Sequence, residues 1–306
     1  RKEERREKTM IQYEYDKREF RKHKGRNIIF FDVLILLVSL FLFFYYGAKD
    51  YTYASANTVS TIQKEIITPS KLNVVSQTGI KKNQKLTKEQ IEKIDTIYQG
   101  NDGKKVAYLT FDDGPSPSVT PLILDVLKQE QIPATFFLLG NYVEQYPELV
   151  KREKEEGHYI ANHGFTHRYS SIYTSLDTVW QEYEQTEKAI QTALGDYCYH
   201  TNLFRFPGGS IGGPYHDLKQ QAVDMLNQKG VAHVNWNALT GDAEGAFTKE
   251  AMLEKIKSTV EGKNVVVILM HDAGDKILTY EILPQVIQYL RENGYVFDTF
   301  RSLLQE

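Results

Sequence analysis

The chain has 306 residues, of which 41% are apolar and 25% charged, with 20 Gly and 9 Pro. These are the length and composition of a globular protein with a full-sized core, and they exclude a disulfide-stapled peptide, a collagen and a largely disordered chain. The net charge is −3, but the first 26 residues are basic, so the remaining body is acidic. An acidic body argues against nucleic-acid binding, and the single cysteine, Cys198, forms no internal disulfide.

The N-terminal stretch predicts a membrane anchor. Residues 1–26 hold eleven Lys and Arg against six Asp and Glu, and residues 28–46 form an apolar run with Asp32 as the one charge. The run is long enough to span a bilayer as a helix and is apolar on every face. By the positive-inside rule, we expect residues 1–26 to be a cytoplasmic tail and 27–47 a transmembrane helix.

Two other interpretations of the apolar run remain open. It could be a buried helix of a soluble protein, although such a helix rarely lacks a polar face. It could also be a cleaved signal peptide, since Ala54, Ser55 and Ala56 resemble a cleavage site. The run exceeds the usual apolar region of about 7–15 residues, and this site lies well beyond its end, which favours the anchor.

Residues 48–103 are expected to form an extracytoplasmic stalk. They are rich in Tyr, Thr, Ser, Lys and Gln and show no long apolar period. A short helix is predicted over residues 87–98, because its isoleucines fall near helical spacing.

Residues 104–306 alternate apolar runs with amphipathic stretches, as in repeated strand and helix units. The runs lie at 106–111, 134–139, 158–162, 203–206, 232–236, 265–270 and 295–300. The helical patterns lie at 119–129, 142–156, 177–194, 216–229, 249–260 and 280–293. Seven parallel strands predict an α/β fold with a closed or nearly closed barrel, and an open doubly wound sheet is the alternative.

Unusual polar clusters follow four of the predicted strands, at residues 111–114, 162–167, 205–209 and 270–272. Barrel enzymes carry their active sites at the carboxyl ends of the strands. The clusters therefore predict one active site at that end of the barrel.

Two of these clusters have the residues of a metal site. His163 and His167 are four apart, so on one helical turn both rings face the same point and, with a carboxylate, form an open metal site. Asp112 and Asp113 are adjacent at a strand end, where their side chains diverge, so one can bind metal while the other faces a water. Taken alone, the histidines could be surface residues and the aspartates a capping or turn pair before Gly114.

Together the clusters resemble the polysaccharide deacetylase (NodB-homology) family, carbohydrate esterase family 4, over residues 105–300. TFDDGP at 110–115 is similar to the first motif, NH at 162–163 with His167 to the second, RFP at 205–207 to the third and LMH at 269–271 to the fifth. The resemblance implies a distorted (β/α)7 barrel similar to a TIM barrel, as in Gram-positive peptidoglycan N-acetylglucosamine deacetylases.

The resemblance also implies a cofactor. Asp113, His163 and His167 would hold one divalent metal ion, with zinc expected and cobalt or another divalent ion as the alternative. Such an ion lowers the pKa of a water and polarises the acetyl carbonyl.

By the same resemblance, Asp112 would be the general base and His271 the general acid, with Arg205 holding Asp112 in place. A nearby guanidinium favours the ionised form of Asp112, which can accept a proton. His271 must be protonated to donate to the leaving amine, so it needs a carboxylate partner. Asp242 is the candidate for this role.

The sequence departs from the family's pattern at two positions. Ala243 follows Asp242 where Trp is common, and Gly208 stands where an aromatic is common, so we expect a wider cleft. The backbone amide of Gly208 could donate a hydrogen bond to the oxyanion. Leu269 and Trp236 either line the acetyl pocket or belong to the core.

The expected function is metal-dependent deacetylation of N-acetylated sugars in a cell-envelope polysaccharide, most simply peptidoglycan N-acetylglucosamine. Another surface glycan, an O-acetyl ester, a small amide and a non-catalytic glycan-binding role are the alternatives. The expected partners are the glycan and the membrane, with no nucleic acid, and the chain is expected to be monomeric. We expect a single-pass protein with its catalytic domain at the cell surface, and secretion after cleavage is the alternative.

Overall fold

The structure is a computed structural model that describes residues 85–99, 103–245 and 248–304. The predicted tail, the predicted anchor and most of the predicted stalk lie outside these ranges. Among the helices that are described, none combines the length and apolar character that a membrane crossing requires.

The described residues form eight strands, ten α-helices and one short 3₁₀ helix over Ile97–Gln99. The strands are β1 (Val106–Asp112), β2 (Thr135–Leu138), β3 (Tyr159–Asn162), β4 (Leu203–Phe204), β5 (Ala232–His233), β6 (Ala238–Leu239), β7 (Val265–His271) and β8 (Val296–Phe297). The helices are α1 (Lys88–Asp95), α2 (Thr120–Glu130), α3 (Gly140–Gln145), α4 (Pro147–Glu155), α5 (Tyr169–Ile172), α6 (Leu176–Leu194), α7 (His216–Lys229), α8 (Lys249–Val260), α9 (Ile277–Glu292) and α10 (Phe300–Leu304).

All strand pairs are parallel, and the strand order is β5-β4-β3-β2-β1-β7-β6. This is the cyclic order of a seven-stranded barrel with one break, because β5 and β6 do not pair with each other in the described sheet. The fold is therefore a half-barrel of parallel strands surrounded by helices, consistent with the predicted (β/α)7 architecture.

The strands of the barrel differ from the predicted seven at one place. The seventh strand of the barrel is β6. The sequence did not indicate this strand, because it has only two residues and so shows no readable period. The run at 295–300, predicted as the seventh strand, instead gives only β8. This strand pairs with Val106 and Ala107 at the start of β1, and α10 begins three residues later.

One predicted helix is divided in the structure. The pattern at 142–156 forms α3 and α4, which meet at Tyr146 and Pro147. Proline disfavours the helical conformation of the residue before it and cannot donate its backbone hydrogen bond. Pro147 therefore ends one helix and begins the next.

The helix predicted within the stalk is present as α1, and it packs against the barrel. Thr87 caps it through a capping box with Gln90, and Ile91 and Ile94 are buried. With Ile97 they belong to an apolar cluster that includes residues of β1, β2, β3, β7 and α10. The folded unit therefore begins before residue 104, where the sequence placed the domain boundary. The boundaries within 1–84 stay predictions.

The alternation of β1 and β7 determines which side chains point into the barrel. Along β1, Ala107, Leu109 and Phe111 pack in the cluster beneath the outer helices, while Tyr108 belongs to the inner cluster with α1 and α10. Successive side chains of a strand point to opposite faces, so Asp112 lies on the inner face of β1. The same alternation along β7 places His271 on the inner face.

Candidate active site

The predicted base and acid end two neighbouring strands. Asp112 is the last residue of β1, His271 is the last residue of β7, and the two are direct partners in the parallel register. Asp112 is 2% exposed and His271 is 9% exposed. The carboxylate and the imidazole that the sequence predicts as base and acid therefore lie side by side at the carboxyl end of the sheet.

Arg205, after β4, holds Asp112 from inside the barrel. It is fully buried, and its Nη1 donates to Asp112 Oδ1 at 2.8 Å and to Thr110 Oγ1 at 2.7 Å. Its Nε and Nη2 donate to the carbonyls of Val234 and Asn235, so the guanidinium is fixed by four hydrogen bonds. Burial raises the pKa of Asp112, and the Arg205 charge opposes that shift.

Asp113, His163 and His167 converge on one point. Asp113 Oδ1 lies 3.5 Å from His163 Nε2 and 3.3 Å from His167 Nε2, and one ligand atom of each residue lies within 4.8 Å of the others. Asp113 Oδ1 is buried and has no hydrogen-bond partner among the described residues. A carboxylate and two imidazoles are a donor set that suits a divalent transition metal, so the residues fit the implied ion.

The burial of His163 favours the neutral form of its ring, and a hydrogen bond selects which nitrogen carries the proton. Its Nδ1 lies 2.7 Å from the carbonyl oxygen of Arg205, which requires the proton on Nδ1 and leaves the Nε2 lone pair free. Burial lowers the pKa of His163 to about 3, with the charge of Asp113 opposing this and that of His167 adding to it. The ring is therefore uncharged at neutral pH.

The two histidines do not lie on a helical turn, which corrects the expectation from their spacing. His163 follows β3, and residues 163–168 form a loop in which Gly164 and His167 have positive φ of 84° and 59°. Glu182 of α6 holds this loop, because its Oε2 accepts the backbone N–H groups of Phe165 and Thr166 at 2.5 and 2.7 Å. A lone glutamate within a helix carries no sequence signal for this role, and Glu182 is not among the predicted site residues.

Asp242 partners His271 as expected. Its Oδ1 lies 2.9 Å from His271 Nδ1, and its Oδ2 accepts from the His271 backbone N–H and from Thr279 Oγ1, both at 2.8 Å. Burial alone would lower the pKa of His271, but the hydrogen bond and charge of Asp242, with Asp112 and Asp113 adding, raise it to about 9. His271 is therefore protonated at neutral pH with Nε2 directed away from Asp242.

The space beside Gly208 is occupied, contrary to the expected widening there. A Cβ built on Gly208 would lie 2.3 Å from Tyr169 Oη, and Gly208 has a positive φ of 73°. Tyr169 opens α5, two residues after His167, and its ring centroid is 5.6 Å from that of His167. The tyrosine thus fills the volume that a side chain at 208 would take. No motif marked this residue in the sequence.

The three remaining predicted positions differ in burial. Trp236 is partly buried, 5.8 Å from the Arg205 guanidinium, and would lie 3.0 Å from a Cβ at Gly209. Leu269 is 8% exposed on the inner face of β7. Ala243 is exposed, and the wider cleft expected beside Asp242 stays a prediction.

The comparisons with known proteins agree with this geometry. A family model described as polysaccharide deacetylase matches residues 99–234, which include Asp112, Asp113, His163, His167 and Arg205. A peptidoglycan-N-acetylglucosamine deacetylase of Bacillus cereus is 33% identical over 204 residues, or 65% of this chain and 70% of that protein. A peptidoglycan-N-acetylmuramic acid deacetylase of Bacillus subtilis is 31% identical over 218 residues, or 71% of this chain and 78% of that protein.

Solved structures extend the similarity to the fold. A CE4 esterase of Streptococcus mutans superposes with a TM-score of 0.61 at 34% identity, covering 67% of this chain and 90% of that one. The catalytic domain of a peptidoglycan N-acetylglucosamine deacetylase of Eubacterium rectale gives 0.59 at 33% identity, covering 65% and 90%. The chain therefore belongs to the polysaccharide deacetylase family, carbohydrate esterase family 4, and is a hydrolytic deacetylase close to those that act on peptidoglycan.

Proposed function

We propose that this protein removes the acetyl group from N-acetylglucosamine residues of peptidoglycan in a metal-dependent hydrolysis. The reaction gives acetate and a free glucosamine amine. The observation that carries the proposal is the meeting of Asp112, His271 and the triad of Asp113, His163 and His167 at one end of the sheet. A binding protein has no need for a base, an acid and an open ligand set in one cleft, so the complete set favours catalysis over glycan binding.

Asp113, His163 and His167 are the residues that would hold the metal ion. When bound, a divalent ion would make a water more acidic and polarise the acetyl carbonyl. Zinc is the ion we propose, since two imidazoles and one carboxylate leave an open position, as in catalytic zinc sites. Cobalt suits the same ligands and is the second choice.

Asp112 takes the proton from the attacking water. Its Oδ1 is occupied by Arg205, while Oδ2 lies 3.7 Å from His163 Nε2 and so faces the triad. The hydrogen bond from Arg205 fixes the carboxylate in one orientation and stabilises its charge. The base is therefore held beside the place where the nucleophile must form.

His271 gives a proton to the amine as the carbon–nitrogen bond breaks. Its Nδ1 is engaged by Asp242, so Nε2 is the donor atom. The raised pKa of about 9 keeps this proton in place at neutral pH, and the departing sugar amine receives it. The backbone N–H of Gly208 is proposed to donate to the oxygen on which charge develops.

We propose that the protein acts at the outer face of the cell membrane. The support is the basic segment 1–26 followed by the apolar run 28–46, which together indicate an inserted helix with the body outside. Such an anchor would hold the barrel next to the wall polymer. The protein would then be a monomer that crosses the membrane once. The test is fractionation with surface proteolysis, and recovery of the chain in the soluble cytosolic fraction would contradict it.

Acetate release from defined polymers tests the substrate assignment. The full chain, purified in detergent and loaded with zinc or cobalt, is incubated with peptidoglycan, chito-oligosaccharides and O-acetylated xylan. We expect release from peptidoglycan, lost when the metal is chelated and restored on its return. Mass analysis of the muropeptides then distinguishes deacetylated glucosamine from deacetylated muramic acid, and release from xylan alone would contradict the N-acetyl assignment.

A further inference from the structure

We infer that Tyr169 contacts the substrate and that its phenol hydroxyl donates a second hydrogen bond, beside the Gly208 amide, to the acetyl oxygen. The inference rests on the proposed function and deepens it at the same site. It adds a residue to the catalytic cleft that lies outside the predicted acid, base and metal set.

The hydroxyl of Tyr169 lies beside the backbone at Gly208. Tyr169 Oη, Cζ and Cε2 would lie 2.3, 3.0 and 3.3 Å from a Cβ on Gly208, so the end of the phenol lies directly against this backbone. The ring also neighbours His167 of the metal triad, at 5.6 Å between centroids. The phenol as a whole therefore lies between the backbone at Gly208, the expected oxyanion donor, and the ring of His167.

Both proposed donors, the Tyr169 hydroxyl and the Gly208 amide, are available to form hydrogen bonds with a ligand. Neither the Tyr169 hydroxyl nor the Gly208 amide has a hydrogen-bond partner among residues 85–99, 103–245 and 248–304. Tyr169 is 39% exposed, so its side chain is only partly covered by the protein. A phenol has an ordinary pKa of about 10 and is a donor at neutral pH.

Hydrogen bonds hold the backbone beside Tyr169 in place. Tyr173 Oη donates to the Pro207 carbonyl at 2.7 Å, and Lys219 Nζ donates to the Gly209 carbonyl at 2.7 Å. Lys219 is only 4% exposed, so its charge is largely buried beneath the loop. The residues on both sides of Gly208 are thus fixed, which keeps its amide in one position relative to the Tyr169 hydroxyl.

This arrangement also explains why residue 208 is glycine. A larger side chain would have to displace the Tyr169 phenol, and the positive φ of Gly208 disfavours other residues as well. The aromatic group at this part of the cleft is therefore supplied by α5 instead of by position 208.

The test compares Tyr169→Phe with Tyr142→Phe in the full, zinc-loaded chain. Each variant loses one hydroxyl, and the two tyrosines are 39% and 37% exposed, but Tyr142 lies on α3 and contributes none of the three atoms nearest a Cβ on Gly208, which all belong to Tyr169. We measure kcat and KM for acetate release, and the affinity for acetate by calorimetric titration. For Tyr169→Phe we expect kcat to fall about 100-fold with KM little changed, and acetate to bind about 10-fold more weakly. Tyr142→Phe should stay within twofold of the wild type, and both variants should keep the wild-type melting temperature.

An acetate affinity of Tyr169→Phe within twofold of the wild type would overturn the inference, whatever its kcat. If the wild type binds acetate but releases none from any polymer, the proposed function fails. The titration still decides the Tyr169 contact in that case, since it requires no turnover.

Discussion

At the scale of single residues, Arg205 connects two parts of the site. Its guanidinium holds Asp112, and its carbonyl oxygen receives the Nδ1 proton of His163. One fully buried side chain and its own backbone thus orient both the proposed base and one of the proposed metal ligands. The orientation of these groups depends on fixed protein dipoles and not on solvent, which is the arrangement that favours charge development in a reaction.

The Asp242 and His271 pair predicts the pH dependence of the reaction. His271 must be protonated to donate, so activity is lost as the pH rises through its pKa of about 9. Asp242→Asn removes the charge that raises this pKa, and we expect the alkaline limb of kcat/KM to move down toward pH 6.5. The measurement is the pH profile from 5 to 10.

Thr279→Val is the matched control for that profile. It removes a hydrogen bond to Asp242 Oδ2 but leaves the carboxylate charge next to His271. We expect a much smaller movement of the alkaline limb. Equal profiles for Asp242→Asn and the wild type would contradict the acid role of His271.

The residues that were predicted and those that were missed differ in a physical way. Asp112, Asp113 and His271 lie in short blocks at strand ends, where the backbone itself directs them into the cleft. Tyr169 and Glu182 reach the site from helices that the strand pattern does not locate. Their roles depend on how distant parts of the chain pack, and a linear pattern does not contain that information.

At the scale of elements, α1 belongs to the body that carries the cleft. Its buried residues pack against the inner cluster, and Gln90 donates from its side chain to the Leu304 carbonyl at 2.7 Å. Helical spacing predicts α1, but spacing does not show which surface an amphipathic helix covers. Because the sequence does not show that α1 packs against the barrel, it assigns this helix to the stalk.

Removing apolar volume from α1 should destabilise the barrel. Ile94 is fully buried, and Ile94→Ala is expected to lower the free energy of unfolding by about 2–5 kcal/mol. Glu92→Ala, on the exposed face of the same helix, should change it by less than about 0.5 kcal/mol. Denaturant unfolding of the two variants checks this. If Ile94→Ala unfolds at the same denaturant concentration as Glu92→Ala, α1 is not part of the cooperative fold.

At the scale of the whole molecule, a buried carboxyl group couples stability to pH. Glu153 of α4 is fully buried, and neither of its carboxyl oxygens has a partner among the described residues. Burial, with the charge of Asp272 adding, raises the pKa of Glu153 well above its ordinary value. The native state then keeps a proton that the unfolded chain releases above about pH 4.3, so stability falls as the pH rises from there through the folded pKa.

Replacing this group should remove that part of the pH dependence. Glu153→Gln keeps the shape and cannot ionise, so we expect its Tm to exceed that of the wild type at pH 8 and to match it near pH 4. Glu155→Gln, exposed on the same helix, is the control and should follow the wild type at both values. A Tm gain for Glu153→Gln that is equal at pH 4 and pH 8 would contradict the shifted pKa.

The central claim is that Asp112 acts as the base of a deacetylase whose metal is held by other residues. Acetate release from peptidoglycan by the full zinc-loaded chain and by its Asp112→Asn variant, with bound zinc measured in both, tests it most directly. We predict that the wild type releases acetate and that Asp112→Asn loses at least about 100-fold in rate while binding as much zinc. Release by the variant at the wild-type rate would contradict the account.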